Sequence, residues 1–227
     1  MSTMAVDSRL ARGLRFYETT LGKKAIMAVT GLILFGFLIA HMIGNLQVFA
    51  GPEALNHYAV KLREMPALLW FARLVLLISV VLHIVASVQL WGLQREARPV
   101  RYARKKNADS SYASRTMMWS GPIIAAFVVY HLAHFTWVIL PGRYEHLKPY
   151  ENVVYGFRQP LISLLYIIAI AMLCTHLYHG LWSMFQTLGV AHPRYTPALK
   201  RFAAVFSIAL AAGFIAVPVA VLAGVVG

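Results

Sequence analysis

Four histidines, His41, His83, His131 and His176, stand well inside long apolar runs, where a membrane chain rarely keeps an ionisable group. His134 and His179 follow the last two by one helical turn and compete with them for any role. Burying a polar ring without a partner costs roughly 2–7 kcal/mol, so each ring needs something to bind. Four imidazoles on four separate runs suit one chemistry above others. They can hold two haem irons, each clasped by a pair of rings and kept six-coordinate for electron transfer. The metal ligands expected are therefore His41, His83, His131 and His176.

The runs that must position these rings are legible as spans. They cover about 25–50, 67–93, 117–140, 159–187 and 202–226. Each is long enough to cross a hydrocarbon core of roughly 30 Å at about 1.5 Å per residue. Backbone groups in lipid must be satisfied within their own segment, so the runs predict helices. With 59% hydrophobic and 13% charged residues, the composition is that of a membrane protein. The expected fold is an all-α membrane protein, a five-transmembrane-helix bundle enclosing two haem groups, with residues 1–227 as one transmembrane domain. No cleavable signal peptide is expected, because the first run is too long for a signal core. The one cysteine, Cys174, excludes internal disulfides and cysteine-ligated iron–sulfur clusters, and reads as a small buried hydrophobe.

Basic residues set the orientation. The N-terminal segment (Arg9, Arg12, Arg15, Lys23, Lys24), the second connection (Arg95, Arg98, Arg101, Arg104, Lys105, Lys106, Arg115) and the fourth (Arg194, Lys200, Arg201) share one side. They hold 15 of the 21 basic residues; Lys61, Arg63, Arg73, Arg143, Lys148 and Arg158 are the rest. The positive-inside rule then makes the N-terminus cytoplasmic and the C-terminus external. The basic face suits anionic lipid and a cytoplasmic partner. It lacks the interleaved aromatic platforms of a nucleic-acid binder, so nucleic acid is not an expected partner.

Orientation sorts the rings by depth. The first and third spans run outward, and His41 lies 17 residues past Lys24, roughly 25 Å along the helix. His131 lies 16 residues past Arg115, at a similar level. The second and fourth spans run inward, and His83 and His176 fall nearer the cytoplasm. An outer pair, His41 with His131, and an inner pair, His83 with His176, follow. Thr30-Gly31 precedes His41 as Ser120-Gly121 precedes His131, at the same spacing. Gly31 and Gly121 are read as small residues that admit a flat macrocycle or a close neighbour. The repeat favours His131 over His134.

A quinone reduced by two electrons takes two protons, so its site wants hydrogen-bond donors and an acid. Outer candidates are His57, Glu64, Arg73 and His134, with a haem propionate as the other use for Arg73. Inner candidates are Trp119, Trp182 and His179. His57, His146 and His192 read as ordinary residues of the connections.

Taken together, Gly22-Lys23-Lys24 through Thr30-Gly31, His41 through Asn45, Leu82-His83, Ser120-Gly121 through Tyr130-His131, and His176 through Ser183 carry a resemblance. The chain resembles the single-chain, five-helix, dihaem cytochrome b subunit of bacterial succinate:quinone oxidoreductases, over nearly its whole length. The resemblance implies two haem b groups, the distal on the first and third helices and the proximal on the second and fourth. It implies a flavoprotein subunit and an iron–sulfur subunit docked on the cytoplasmic face of the cell inner membrane, and a quinone substrate, menaquinone as the expected type. It implies no bond chemistry on succinate within this chain. His179 departs from some relatives. Other readings are a dihaem subunit of a formate dehydrogenase or hydrogenase, and a haem-free histidine-relay transporter.

Overall fold

The computed structural model describes residues 15–97 and 112–227. Five helices among them are long and apolar enough to cross a membrane. The first, α1 (Thr20–Leu46), ends in a 3-10 turn, Gln47–Ala50; the short helix α2 (Pro52–Arg63) follows it. The second span is α3 (Pro66–Glu96). The third is α4 (Tyr112–His131), continued by a wide π turn, Leu132–Thr136. A second short helix, α5 (Pro149–Phe157), leads to the fourth and fifth spans, α6 (Pro160–Thr187) and α7 (Thr196–Leu222).

Proline punctuates this chain. α2, α3, α5 and α6 each begin on one, at the position where the missing N–H costs nothing. α1 instead starts at Thr19, whose side-chain oxygen accepts from the Gly22 N–H at 2.9 Å. That cap starts the helix at Thr20, ahead of the apolar run itself. The third span leaves helical geometry at Thr136, short of the expected 140. Trp137 N–H bonds back to Leu132 across the π turn, Ile139 N–H reaches Ala133, and Val138 adopts a left-handed φ of 54°. The apolar run continues past this point, but the backbone does not follow it as helix.

The spans pack in a definite order. α6 and α7 make the most extensive contact, followed by α1 with α3 and α4 with α6. α7 also packs on α1, and α1 touches α6. Neither α1 with α4 nor α3 with α6 packs extensively. The two short helices close one end of the bundle, called here the capped end. Its core joins Val48, Leu55, Val153, Val154 and Phe157 of the connections to Tyr166, Ile170, Val217 and Val221 of the spans. Asn56 ties α2 to α5, bonding Glu151 at 2.9 Å and the Tyr150 N–H at 3.0 Å. At the opposite end Lys23 is buried: its Nζ donates to the carbonyls of Tyr17 and Glu18 at 2.9 and 3.0 Å and sits over the Tyr17 ring. It therefore anchors the start of α1 rather than adding to an exposed basic face.

A Cβ built on Gly213 would fall on the thioether of Met42, so glycine sets how closely α7 approaches α1. Gly213→Ile should cost about 1–3 kcal/mol by overpacking this contact. Adding Met42→Ala should return most of it. Unfolding midpoints in mixed detergent measure both; an unrecovered double variant would place the strain elsewhere.

Candidate functional site: two stacked histidine pairs

His83 on α3 and His176 on α6 face each other with ring centroids 6.5 Å apart. His41 on α1 and His131 on α4 do so at 5.7 Å. In both cases the helices concerned do not pack extensively on each other, so the rings meet across the interior. The first pair is called lower and the second, nearer the capped end, upper. The separations leave room for one metal ion between the two rings of each pair, since an imidazole–metal bond is about 2 Å long.

Hydroxyl groups hold the lower rings. Thr30 Oγ1 lies 3.2 Å from His83 Nδ1, and Ser120 Oγ lies 3.2 Å from His176 Nδ1. The Thr30 hydroxyl already donates to the Ile26 carbonyl at 2.7 Å, and the Ser120 hydroxyl donates to Met117 at 3.4 Å. A hydroxyl has one hydrogen to give. The short Thr30–Ile26 bond commits that hydrogen, so the Thr30 oxygen accepts and His83 Nδ1 carries the proton, which leaves its Nε2 lone pair free to ligate. The Ser120 contact to Met117 is longer than its contact to His176 Nδ1, so the backbone does not fix the polarity of that contact.

Thr30 and Ser120 were legible as part of a repeated pattern, but their target was not. Each precedes the upper histidine of its own helix by 11 residues, about 16 Å of rise, and so serves the lower histidine of a neighbouring helix. The two levels are therefore about 16 Å apart on both sides of the bundle. Gly31 sits against the His83 ring, where an added Cβ would lie 3.4 Å from Cε1. Gly121 faces open space, with nothing within 4 Å of an added Cβ.

Aromatic groups hold the upper rings. Phe37, one turn before His41, stacks on it at 5.2 Å and 16°. Phe214 of α7 approaches the same ring at 6.0 Å. The Tyr166 hydroxyl lies 3.3 Å from His131 Nδ1 and 2.9 Å from His134 Nδ1. His134 is fully buried, and its Nε2 meets the Tyr144 hydroxyl at 2.5 Å. Both nitrogens of His134 are thus occupied, whereas His131 Nε2 enters no hydrogen bond among the described residues. Burial pushes the Tyr144 phenol, in the loop beyond the third span, up to about 12, so it stays protonated. The tyrosines were missed in the sequence, where nothing marks one aromatic in an apolar run from another.

Other expected residues lie elsewhere. Arg73 is exposed and sits over the Trp70 ring at 5.1 Å, away from both pairs. His57 and Glu64 are exposed at the capped end. His179 is half-buried and enters no hydrogen bond among the described residues. Trp119 is 75% exposed, and Trp182 lies beneath the Lys200 ammonium at 5.0 Å.

Residues 92–216, more than half of the sequence, match the family described as succinate dehydrogenase/fumarate reductase transmembrane subunit. The chain belongs to this family. No curated protein and no solved structure matches it. Family and spans together make it a multi-pass membrane protein, the membrane subunit of a succinate dehydrogenase or fumarate reductase, associated with that enzyme's other subunits. The matched segment contains His131, His176, Ser120 and Tyr166; His41, His83 and Thr30 precede it.

The residues present fit haem. Among the described residues no group of three or more metal-binding side chains occurs, only facing pairs. A porphyrin supplies four nitrogens, so two imidazoles complete its iron. Ser120→Ala leaves the half-buried His176 Nδ1 without its partner and should cost about 1–3 kcal/mol; Thr30→Val should cost less, because the Met27 backbone also bonds His83. Thr116→Val, whose hydroxyl bonds only its own helix, is the control. Equal unfolding midpoints for all three would show the Nδ1 contacts to be energetically idle.

Proposed function

We propose that this chain is the membrane-anchor cytochrome b of a succinate:quinone oxidoreductase, carrying two haem b groups. His41 and His131 would hold the upper haem, His83 and His176 the lower. The observation that carries this reading is the pair of facing imidazole couples, with the lower Nδ1 atoms held by hydroxyl groups. When bound, each haem supplies a one-electron iron couple, and two imidazole ligands favour electron transfer over oxygen chemistry. The protein's own residues orient the rings and, at His83, fix the tautomer.

The family match favours this reading over a formate dehydrogenase or hydrogenase subunit. Four half-buried rings in facing pairs favour it over a histidine relay, which needs a continuous hydrogen-bonded path between levels. The lower level faces the end that carries the N-terminal and 94–116 segments. By the positive-inside rule that end is cytoplasmic and the C-terminus external, in the cell inner membrane. The flavoprotein and iron–sulfur subunits dock there, against residues 1–24, 94–116 and 188–201. Electrons then pass to the lower haem, the upper haem and a membrane quinone, with menaquinone the expected type. Arg9, Arg12, Arg98, Arg101, Arg104, Lys105 and Lys106 of that face lie outside the described residues.

A pyridine haemochrome assay should find two haems b per chain, and redox titration of the α-band two steps. The lower haem, nearer the basic face, should have the higher potential. Losing His83 or His176 should remove that step, and losing His41 or His131 the other. Retention of both haems by His131→Ala would unseat the upper assignment, and a purified chain without an α-band would end the reading.

Reversing Arg101, Arg104, Lys105 and Lys106 should weaken co-purification of the iron–sulfur subunit more than reversing Arg143 and Lys148, most strongly at low salt. Equal assembly by both variants would place docking on apolar contacts. Cross-links to the capped end would reverse the orientation.

A further inference from the structure

The hydrogen-bonded series Tyr144–His134–Tyr166–His131 has two self-consistent polarities, and only one suits a metal. The Tyr166 oxygen contacts both Nδ1 atoms, at 3.3 Å from His131 and 2.9 Å from His134. Its one hydrogen can go to one of them, and the other ring must then donate to it. If Tyr166 donates to His134, His131 donates from Nδ1–H and its Nε2 is a free lone pair. His134 then carries its proton on Nε2 and donates to Tyr144, 2.5 Å away. If Tyr166 donates to His131 instead, every bond reverses. The His131 proton then sits on Nε2, where it blocks ligation.

Local structure fixes His134 in this series. The π turn Leu132–Thr136 carries it, and wide turns of this kind recur at functional sites. Its ring is fully buried and stacks on Phe135 at 3.9 Å. Gly156 gives it room, since a Cβ there would stand 3.0 Å from Cε1. A ring so tightly held, with both nitrogens engaged, is poorly explained as filler.

We propose that His134 is a positioning residue for the upper pair. It takes the Tyr166 hydrogen and thereby keeps His131 in the tautomer whose Nε2 can ligate. The inference rests on the two-haem reading and extends it to a residue that touches no haem. It also accounts for the difference between levels. In the lower pair the backbone commits the Thr30 hydrogen. A phenol has no backbone carbonyl of its own turn within reach, so Tyr166 needs an outside acceptor, which His134 supplies.

The test uses the complete complex purified from membranes, with haem content and α-band potentials as readouts. His134→Phe removes the acceptor and frees Tyr166 to donate to His131. Upper-haem retention should fall roughly tenfold or more, while the lower haem stays. Tyr166→Phe removes the competing hydrogen as well as the acceptor. It should keep the upper haem and raise its potential, because an imidazole that no longer donates from Nδ1 is a poorer electron donor to iron. The double variant should regain upper haem relative to His134→Phe alone. A merely structural His134 predicts the opposite, a double variant worse than either single one.

An unchanged upper potential in Tyr166→Phe would overturn the proposal whether or not His134→Phe folds. So would a double variant that holds no more haem than His134→Phe. A wild-type complex without haem would instead sink the two-haem reading, and this inference with it.

Discussion

Everything in this bundle depends on satisfying imidazole nitrogens where water is absent. A neutral ring has one donor and one acceptor, and leaving either unpaired in an apolar interior costs free energy comparable to a helix cap or a packed methyl group. For three of the four rings the chain solves half of this problem itself, at Nδ1, with Thr30, Ser120 and Tyr166, while His41 is held by ring contacts alone among the described residues. The Nε2 atoms of those three rings enter no hydrogen bond among the described residues. The packing order serves that arrangement. Helices that carry partner rings stay apart, while each packs firmly on a helix that supplies support.

The sequence was most legible where one residue type in one environment decides the matter. Five apolar runs are five spans, because hydrocarbon permits no other backbone solution. Four histidines at two depths are two facing pairs, because helical rise converts residue number directly into depth. The sequence was less legible where the outcome depends on which neighbour a side chain meets. Thr30-Gly31 and Ser120-Gly121 read naturally as features of the helices' own histidines. They lie about 16 Å from those histidines and meet rings on other helices, a relation that only tertiary packing creates.

His134 illustrates the same limit. Three residues after His131, it lies close to the same helix face, and spacing alone cannot separate a ligand from a supporting group. What separates them is Tyr144, which arrives from an irregular loop, and Gly156, which arrives from a short helix. The short amphipathic helices α2 and α5 are overshadowed by the long apolar runs, yet they build the capped end that encloses His134. The early end of the third span belongs to the same account, since its wide turn and the left-handed Val138 bring the loop back over the ring.

The two levels therefore differ in kind, although their geometry is nearly the same. The lower rings are held by aliphatic hydroxyls, and at Thr30 the helix backbone has claimed the hydrogen, which gives that contact one polarity. The upper level is held by a phenol shared between two imidazoles, an arrangement with two polarities separated only by where hydrogens sit. A fixed support suits a centre that only relays electrons. A support whose hydrogens can be redistributed, ending at a protonated phenol beside the capped end, suits a centre close to where protons are handled. On this reasoning the capped end, with its loops and short helices, is the first place to look for the quinone, ahead of the exposed Trp119 and Trp182 of the opposite end.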